Sequence, residues 1–153
     1  MKILLLKYSL IFVTLFMVLS SCKPDDEPTP SEKKIGELSK TWIVNQNSLV
    51  MLDGNVITTE LAGFEITIDD HLNYTTNSSE MDLQPLPWPS SGLFELEDNL
   101  TELIRDDGLS IDISGSTQEE LHLQFLFAED FDDSSGSRTS AIKGSWVFII
   151  SLK

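Results

Sequence analysis

Between Thr41 and the last residue, apolar and polar side chains alternate in short runs that are separated by turn residues. In the clearest run Phe64, Ile66 and Ile68 alternate with polar neighbours. Because successive side chains of a strand point to opposite faces, this period of two predicts strands with one buried and one solvated face. No long stretch has helical periodicity, so the chain is predicted to fold as an all-β domain.

About eight such runs follow one another, joined by turn signals such as Asp53-Gly54 and Asp106-Asp107-Gly108. An even number of sequentially joined strands can close on itself and so remove its edges. We therefore predict an antiparallel up-and-down meander of about eight strands that forms a barrel. One short helix around Glu32, Ile35 and Leu38 is predicted to precede it.

Two of the predicted strands have unusual patterns. The first, Thr41 to Leu52, has Trp42 in one phase and Leu49 and Met51 in the other, and a bulge between Asn45 and Ser48 would reconcile them. The last is apolar on both faces, since Val147 and Ile149 lie opposite Trp146 and Phe148. Its outer face is predicted to pack under a helix or a neighbouring chain.

The first 21 residues have the pattern of a secretory signal. Lys2 and Lys7 precede an uncharged run at positions 8–19, which ends in Ser20 and Ser21 just before Cys22. This run is too short to cross a hydrocarbon core, which needs roughly 20 helical residues. A cleaved signal peptide is therefore predicted.

The segment Leu19-Ser20-Ser21-Cys22 resembles the lipobox of bacterial lipoproteins. The resemblance implies cleavage before Cys22 and acylation of this residue with chains such as palmitate, so that the membrane contact is lipid. The alternative is an ordinary signal peptide followed by a chance cysteine. Cys22 is the only cysteine, which excludes an intramolecular disulfide and a four-cysteine zinc site.

Residues 22–34 are predicted to form a flexible acidic and proline-rich tether, and residues 35–153 the barrel domain. The formal net charge is -15, and removal of residues 1–21 makes it -17, so a nucleic-acid partner is excluded by repulsion. The acids after Cys22 also resemble the export signals of some Gram-negative lipoproteins. They imply an outer-membrane location, with surface exposure and a merely solvated linker both open.

The sequence offers little for catalysis, and no enzyme is predicted. His122 is out of phase with its buried neighbours and is predicted to be a surface residue. His71 lies in an acidic turn, which explains it better than a metal site does. Glu95 and Glu97 share one face, as on any strand with a solvated side. The acidic loop 129–136 suits calcium or is an ordinary acidic loop, and no metal or other cofactor is predicted.

Seven aromatic residues take inward positions on the predicted strands, and they either fill a core or line a cavity for one small apolar ligand. These candidate ligand-binding residues are Trp42, Phe64, Tyr74, Phe94, Phe125, Trp146 and Phe148. Trp88 lies in a proline-rich loop, where the pattern does not predict its burial. It either plugs one barrel end or meets a sugar or protein partner.

Four short segments carry a resemblance to the lipocalin-like lipoproteins of Gram-negative bacteria: 38–42 (LSKTW), 64–67 (FEIT), 88–92 (WPSSG) and 144–148 (GSWVF). The resemblance implies a calycin-type barrel, and many such barrels bind small apolar ligands. Two functions are therefore expected. The first is binding of a small apolar or amphipathic ligand, and the second is docking of another envelope protein or glycan to the exterior of a filled barrel.

Overall fold

The structure is a computed structural model that describes residues 27–128 and 142–153, together with the backbone of residues 131–132 and 138–139. Cys22 and residues 1–21 lie outside the described residues, as does most of the acidic loop 129–136. No helix in the described part of the chain has the length and apolar character that crossing a membrane requires.

One α-helix and twelve strands are present in these residues. The helix, α1, spans Pro30–Leu38. The strands are β1 (Thr41–Ile43), β2 (Leu49–Leu52), β3 (Asn55–Val56), β4 (Glu65–Ile68), β5 (Asn73–Thr76), β6 (Ser91–Leu96), β7 (Glu102–Arg105), β8 (Ser110–Asp112), β9 (Glu120–Phe127), β10 (Phe131–Asp132), β11 (Arg138–Thr139) and β12 (Gly144–Leu152).

Eight antiparallel strands form a closed barrel in the order β1-β4-β5-β6-β7-β8-β9-β12, and β12 pairs back with β1. Each neighbour in this order follows the previous strand along the chain, apart from the two short hairpins β2–β3 and β10–β11. The predicted all-β meander and its closure are therefore confirmed. Closure leaves β3 as the open edge of the main sheet, since β3 extends the barrel wall beyond β2.

The predicted break in the first strand is confirmed, but the predicted phase after it is wrong. Ile43 pairs with Ser151 and Leu49 with Ile149, so residues 44–48 stand opposite the single residue Ile150. The segment between β1 and β2 is therefore four residues longer than the part of β12 that it faces. Because four is an even number, even-numbered residues face the core both before and after the break. Val50 faces the core, and Leu49 and Met51 face outwards.

Helix α1 closes one end of the barrel. Leu38 is fully buried, and the Trp42 indole nitrogen donates to its carbonyl oxygen at 3.0 Å. The Ser39 hydroxyl donates to Asp69 O in the β4–β5 turn at 2.8 Å. Lys40 Nζ donates to Gln118 O in the β8–β9 loop at 2.6 Å. The two residues that follow the helix are thus hydrogen-bonded to two loops at the same end of the barrel.

The helix begins in the segment that was predicted to be tether. Thr29 is its N-cap and forms a capping box with Glu32, whose carboxylate accepts from the Thr29 backbone nitrogen at 2.6 Å. These hydrogen bonds lower the pKa of Glu32. Residues 30–34 are therefore helical, and the T-x-x-E spacing that starts the helix was available in the sequence.

Candidate functional site

The inward faces of the barrel strands meet in an aromatic core. All seven predicted aromatic residues are buried there, with exposed fractions between 0 and 4%. The alternation along each strand explains their placement, as the flanking residues of Phe94 and Phe125 are exposed. The structure therefore brings the candidate ligand-binding residues together inside the barrel.

Trp88 lies among these seven residues and is only 3% exposed. Its ring centroid is within 6.5 Å of the centroids of five other rings, four of which it meets edge-on at 5.3 to 6.5 Å. The five are Phe64, Tyr74, Phe94, Phe125 and Phe148. These rings belong to different walls of the barrel, so the indole takes up the space between the walls at this level.

The segment that carries Trp88 is fastened to the barrel on both sides of the indole. Thr76 donates from its hydroxyl to Pro89 O at 2.9 Å, and its backbone nitrogen donates to Ser90 O at 2.8 Å. On the other side, Ile142 N donates to Pro85 O at 3.0 Å. Of the two predicted roles for Trp88, the structure shows the plug rather than exposure to a partner.

A buried charge lies beside the indole. Arg105 is 1% exposed, and its guanidinium lies 5.5 Å from the Trp88 ring centroid. Two of its nitrogens donate to the Asp107 carboxylate at 2.9 Å each, and Nη1 donates to Pro87 O at 2.6 Å. The guanidinium is thus held by a bidentate ion pair and in turn binds the backbone next to Trp88.

Two hydrogen-bonding groups inside the barrel have no partner among the described residues, namely Tyr74 Oη and Trp88 Nε1. Tyr74 stacks on Phe94 at 4.4 Å between centroids and lies over Gly92, where an added Cβ would be 2.5 Å from the hydroxyl oxygen. Burial raises the pKa of the Tyr74 phenol well above its ordinary value of 10.0, against the opposing effect of the Arg105 charge.

The exterior positions considered in the sequence do not form a site in the described residues. His71 is exposed in a turn closed by Asp69, whose carboxylate accepts from the backbone nitrogens of His71 and Asn73 at 2.9 Å each. A side-chain hydrogen bond from Asn73 is the main reason why the pKa of Asp69 is lowered. No group of three potential metal ligands is found in the described part of the chain.

The other exterior candidates are solvated or partly covered. Glu95 and Glu97 are both exposed, as predicted. The His122 side chain is 31% exposed, although its Nε2 atom is buried and lies 3.7 Å from a Glu120 oxygen. An open cleft of about 250 Å³ lies between β6 and β7, next to Leu93 and Ile104. It is smaller than a typical ligand pocket.

Sequence reasoning missed Arg105. Its signal was present, because Arg105 is in phase with the buried Leu103 on β7, and a charged residue at an inward position calls for a buried partner. The partner, Asp107, is only two positions away but lies beyond the end of the strand. The position of Trp88 had no such signal, since a proline-rich loop has no periodicity.

Comparisons of the chain with protein-family models, curated proteins and solved structures gave no match. The class of the protein therefore rests on its own geometry, which is that of a closed eight-stranded antiparallel β-barrel with one short helix.

Proposed function

We propose that this chain is a lipid-anchored lipoprotein of the bacterial envelope, which docks another envelope protein or glycan through the exterior of a filled barrel. The single observation that supports this choice over a hollow barrel is Trp88, whose indole contacts five rings from different walls of the interior. The proposal includes no catalytic step and no cofactor. It includes the resemblance to the lipocalin-like lipoproteins of Gram-negative bacteria, which rests on four short segments of the sequence.

The anchor is the part of the proposal that rests on the sequence. Cys22 stands eight positions before the first helical residue, Pro30, and a proline-rich segment of that length extends about 25 Å. Several acyl chains on one cysteine contribute about 0.8 kcal/mol for each buried CH₂, which is enough for stable anchoring. The domain would then work close to the outer membrane, on its periplasmic or its outer side.

The anchor is tested by expressing the full chain in a Gram-negative host with a labelled palmitate analogue. We expect label on the wild-type protein in the outer-membrane fraction, and we expect Cys22→Ser to abolish both the label and the membrane association. Wild-type protein that is unlabelled and released into the soluble fraction would contradict the proposed anchor.

Binding of a small apolar or amphipathic ligand is the second candidate function, and one observation favours it. Tyr74 Oη and Trp88 Nε1 are buried donors without an acceptor in the described residues. Buried polar groups are nearly always hydrogen-bonded, so an acceptor on a small molecule or an ordered water would complete them. Such a ligand would have an aromatic or apolar body and one acceptor oxygen.

Native mass spectrometry of residues 27–153 separates the two functions. These residues hold the whole described core, which extends from Leu38 to Ile150. A bare polypeptide mass supports the filled barrel and outer-surface docking. A reproducible additional mass that is lost on denaturation, and is reduced in Tyr74→Phe, supports the ligand instead and contradicts the filled barrel.

A further inference from the structure

The outer face of β12, β2 and β3, together with Leu126 on β9, forms an apolar surface at the open edge of the sheet. The register places Val147, Met51 and Val56 in one row across three strands, with Ile149 and Leu49 in the next row. Val56 is 63% exposed, and Leu126 on β9 is 65% exposed. We call these six residues, namely Leu49, Met51, Val56, Leu126, Val147 and Ile149, the edge patch.

The edge patch carries no charge, in contrast to the opposite side of the barrel. The outward positions of β12, β2 and β3 are Ser145, Val147, Ile149, Ser151, Leu49, Met51 and Val56. On the far wall, the outward positions of β6, β7 and β8 include the acids Glu95, Glu102 and Asp112. In a chain with 25 acidic and 10 basic residues, most faces of two copies repel each other. Among the strand positions that the structure describes, the edge patch is a face on which two copies can meet without opposing acidic side chains.

Asp53, an acid next to the edge patch, is hydrogen-bonded within the chain. Asp53 occupies the β2–β3 turn, and its Oδ1 accepts from Ser145 N at 2.8 Å. The turn residues Asp53 and Gly54 both have positive φ, at 50° and 79°, which fits the tight hairpin that the Asp-Gly pair predicts. The hairpin therefore holds β3 at the open edge with the carboxylate directed back to β12.

The backbone N–H and C=O groups of Val56 point away from β2. Leu52 pairs with Asn55 across the turn, and Ile57 N donates to Val50 O at 2.8 Å. In an antiparallel pair hydrogen-bonded and non-bonded positions alternate, so Val56 stands at a non-bonded position opposite Met51. Its N–H and C=O therefore face the open side of β3, where no described strand pairs with it.

We propose that this edge is a self-association surface on which β3 of one copy pairs antiparallel with β3 of a second copy about a two-fold axis. A two-fold axis requires each surface to be its own partner, and an uncharged antiparallel edge meets this requirement. The row Val147, Met51 and Val56 would then continue into the same row of the partner. The proposal is independent of the proposed function, since it requires neither the anchor nor an outside partner.

The size of the edge patch sets the strength of the dimer. Three strands at about 4.8 Å spacing and a few residues of length cover much less than the roughly 800 Å² per partner of a stable interface. We therefore expect a weak dimer with a Kd on the order of 100 µM. For residues 27–153, the weight-average mass should then rise about 1.5-fold between 10 and 500 µM.

Three variants test this dimer by sedimentation equilibrium. Val56→Pro removes the outward N–H without touching the bonds between β2 and β3, and Val56→Lys puts a charge into the edge patch. Each should weaken self-association at least tenfold. Leu93→Lys is the matched control, because it adds the same charge at a 46% exposed leucine on the opposite wall. This control should stay within twofold of the wild type.

A wild-type chain that remains monomeric at 500 µM would overturn the proposal, as would a dimer that the two Val56 variants leave unchanged. A dimer that Leu93→Lys weakens equally would overturn it too. Hydrogen exchange of the wild-type Val56 amide provides a measurement that needs no variant. Its rate should fall as concentration rises if β3 pairs with β3, and an unchanged rate in the dimer would exclude this pairing.

Discussion

Replacement of Trp88 by alanine tests most directly whether the barrel is filled. The indole is 3% exposed, and an aromatic side chain of this kind buries about 150–250 Å². At about 25 cal/mol per Å², this burial amounts to about 4–6 kcal/mol, and measured Trp→Ala changes in cores cost about 3–5 kcal/mol. Since Arg105 also loses the ring beneath its guanidinium, we expect a loss of about 4–5 kcal/mol.

The assay is urea unfolding of residues 27–153, followed by circular dichroism. Leu126→Ala is the control, since Leu126 is 65% exposed and its truncation should change the free energy of unfolding by less than about 0.5 kcal/mol. A Trp88→Ala loss below about 1 kcal/mol would refute the reasoning, because the indole would then not be needed to fill the interior.

A rescue experiment distinguishes a lost side chain from a general weakening of the fold. If Trp88→Ala leaves an indole-shaped space, free indole should bind there and raise the free energy of unfolding by about 1.4 kcal/mol at ten times its Kd. Wild-type protein, whose interior holds Trp88, should show no such increase. Equal stabilisation of both proteins would show that indole binds elsewhere.

Three further predictions follow from contacts in the core. Gly92→Ala should lower the free energy of unfolding in urea by about 1–3 kcal/mol, since its Cβ would lie 2.5 Å from the Tyr74 hydroxyl oxygen. Gly36→Ala is the control and should stabilise α1, because nothing lies within 4 Å of its added Cβ. Equal changes in the free energy of unfolding for the two variants would contradict this prediction. Asp107→Asn should destabilise the fold by about 1–3 kcal/mol because it replaces the bidentate carboxylate of the Arg105 ion pair with a neutral amide, and an unchanged free energy of unfolding would show that this ion pair contributes nothing to stability. In residues 27–153 Tyr74 is the only tyrosine, so the tyrosinate contribution to absorbance near 295 nm can come only from Tyr74. Because burial raises its folded pKa above 10.0, stability should fall as pH rises above 10, and ionisation near pH 10 without unfolding would contradict the burial.

Local sequence pattern was sufficient to predict the strands and the direction in which most of their side chains point. Phe64, Ile66 and Ile68 occupy the inward positions that their alternation predicts, and the same holds for the row from Leu121 to Phe127. The turn at Asp53-Gly54 was likewise predictable, because it requires positive φ. These properties depend on each residue and its immediate neighbours.

The tertiary structure decided what fills the barrel and which edge remains open. Trp88 is buried because the loop between β5 and β6 carries its indole in among the core rings, and no local period encodes a contact with residues as distant as Phe148. The phase of Val50 depended on how many residues stand opposite Ile150, which is a property of the pairing between β2 and β12. Val56 lies at an open edge because β2 pairs with β12 on one side and with β3 on the other, and no further described strand pairs with β3. Sequence alternation assigns a side chain to a face, whereas strand pairing and loop closure over long separations determine what that face contacts.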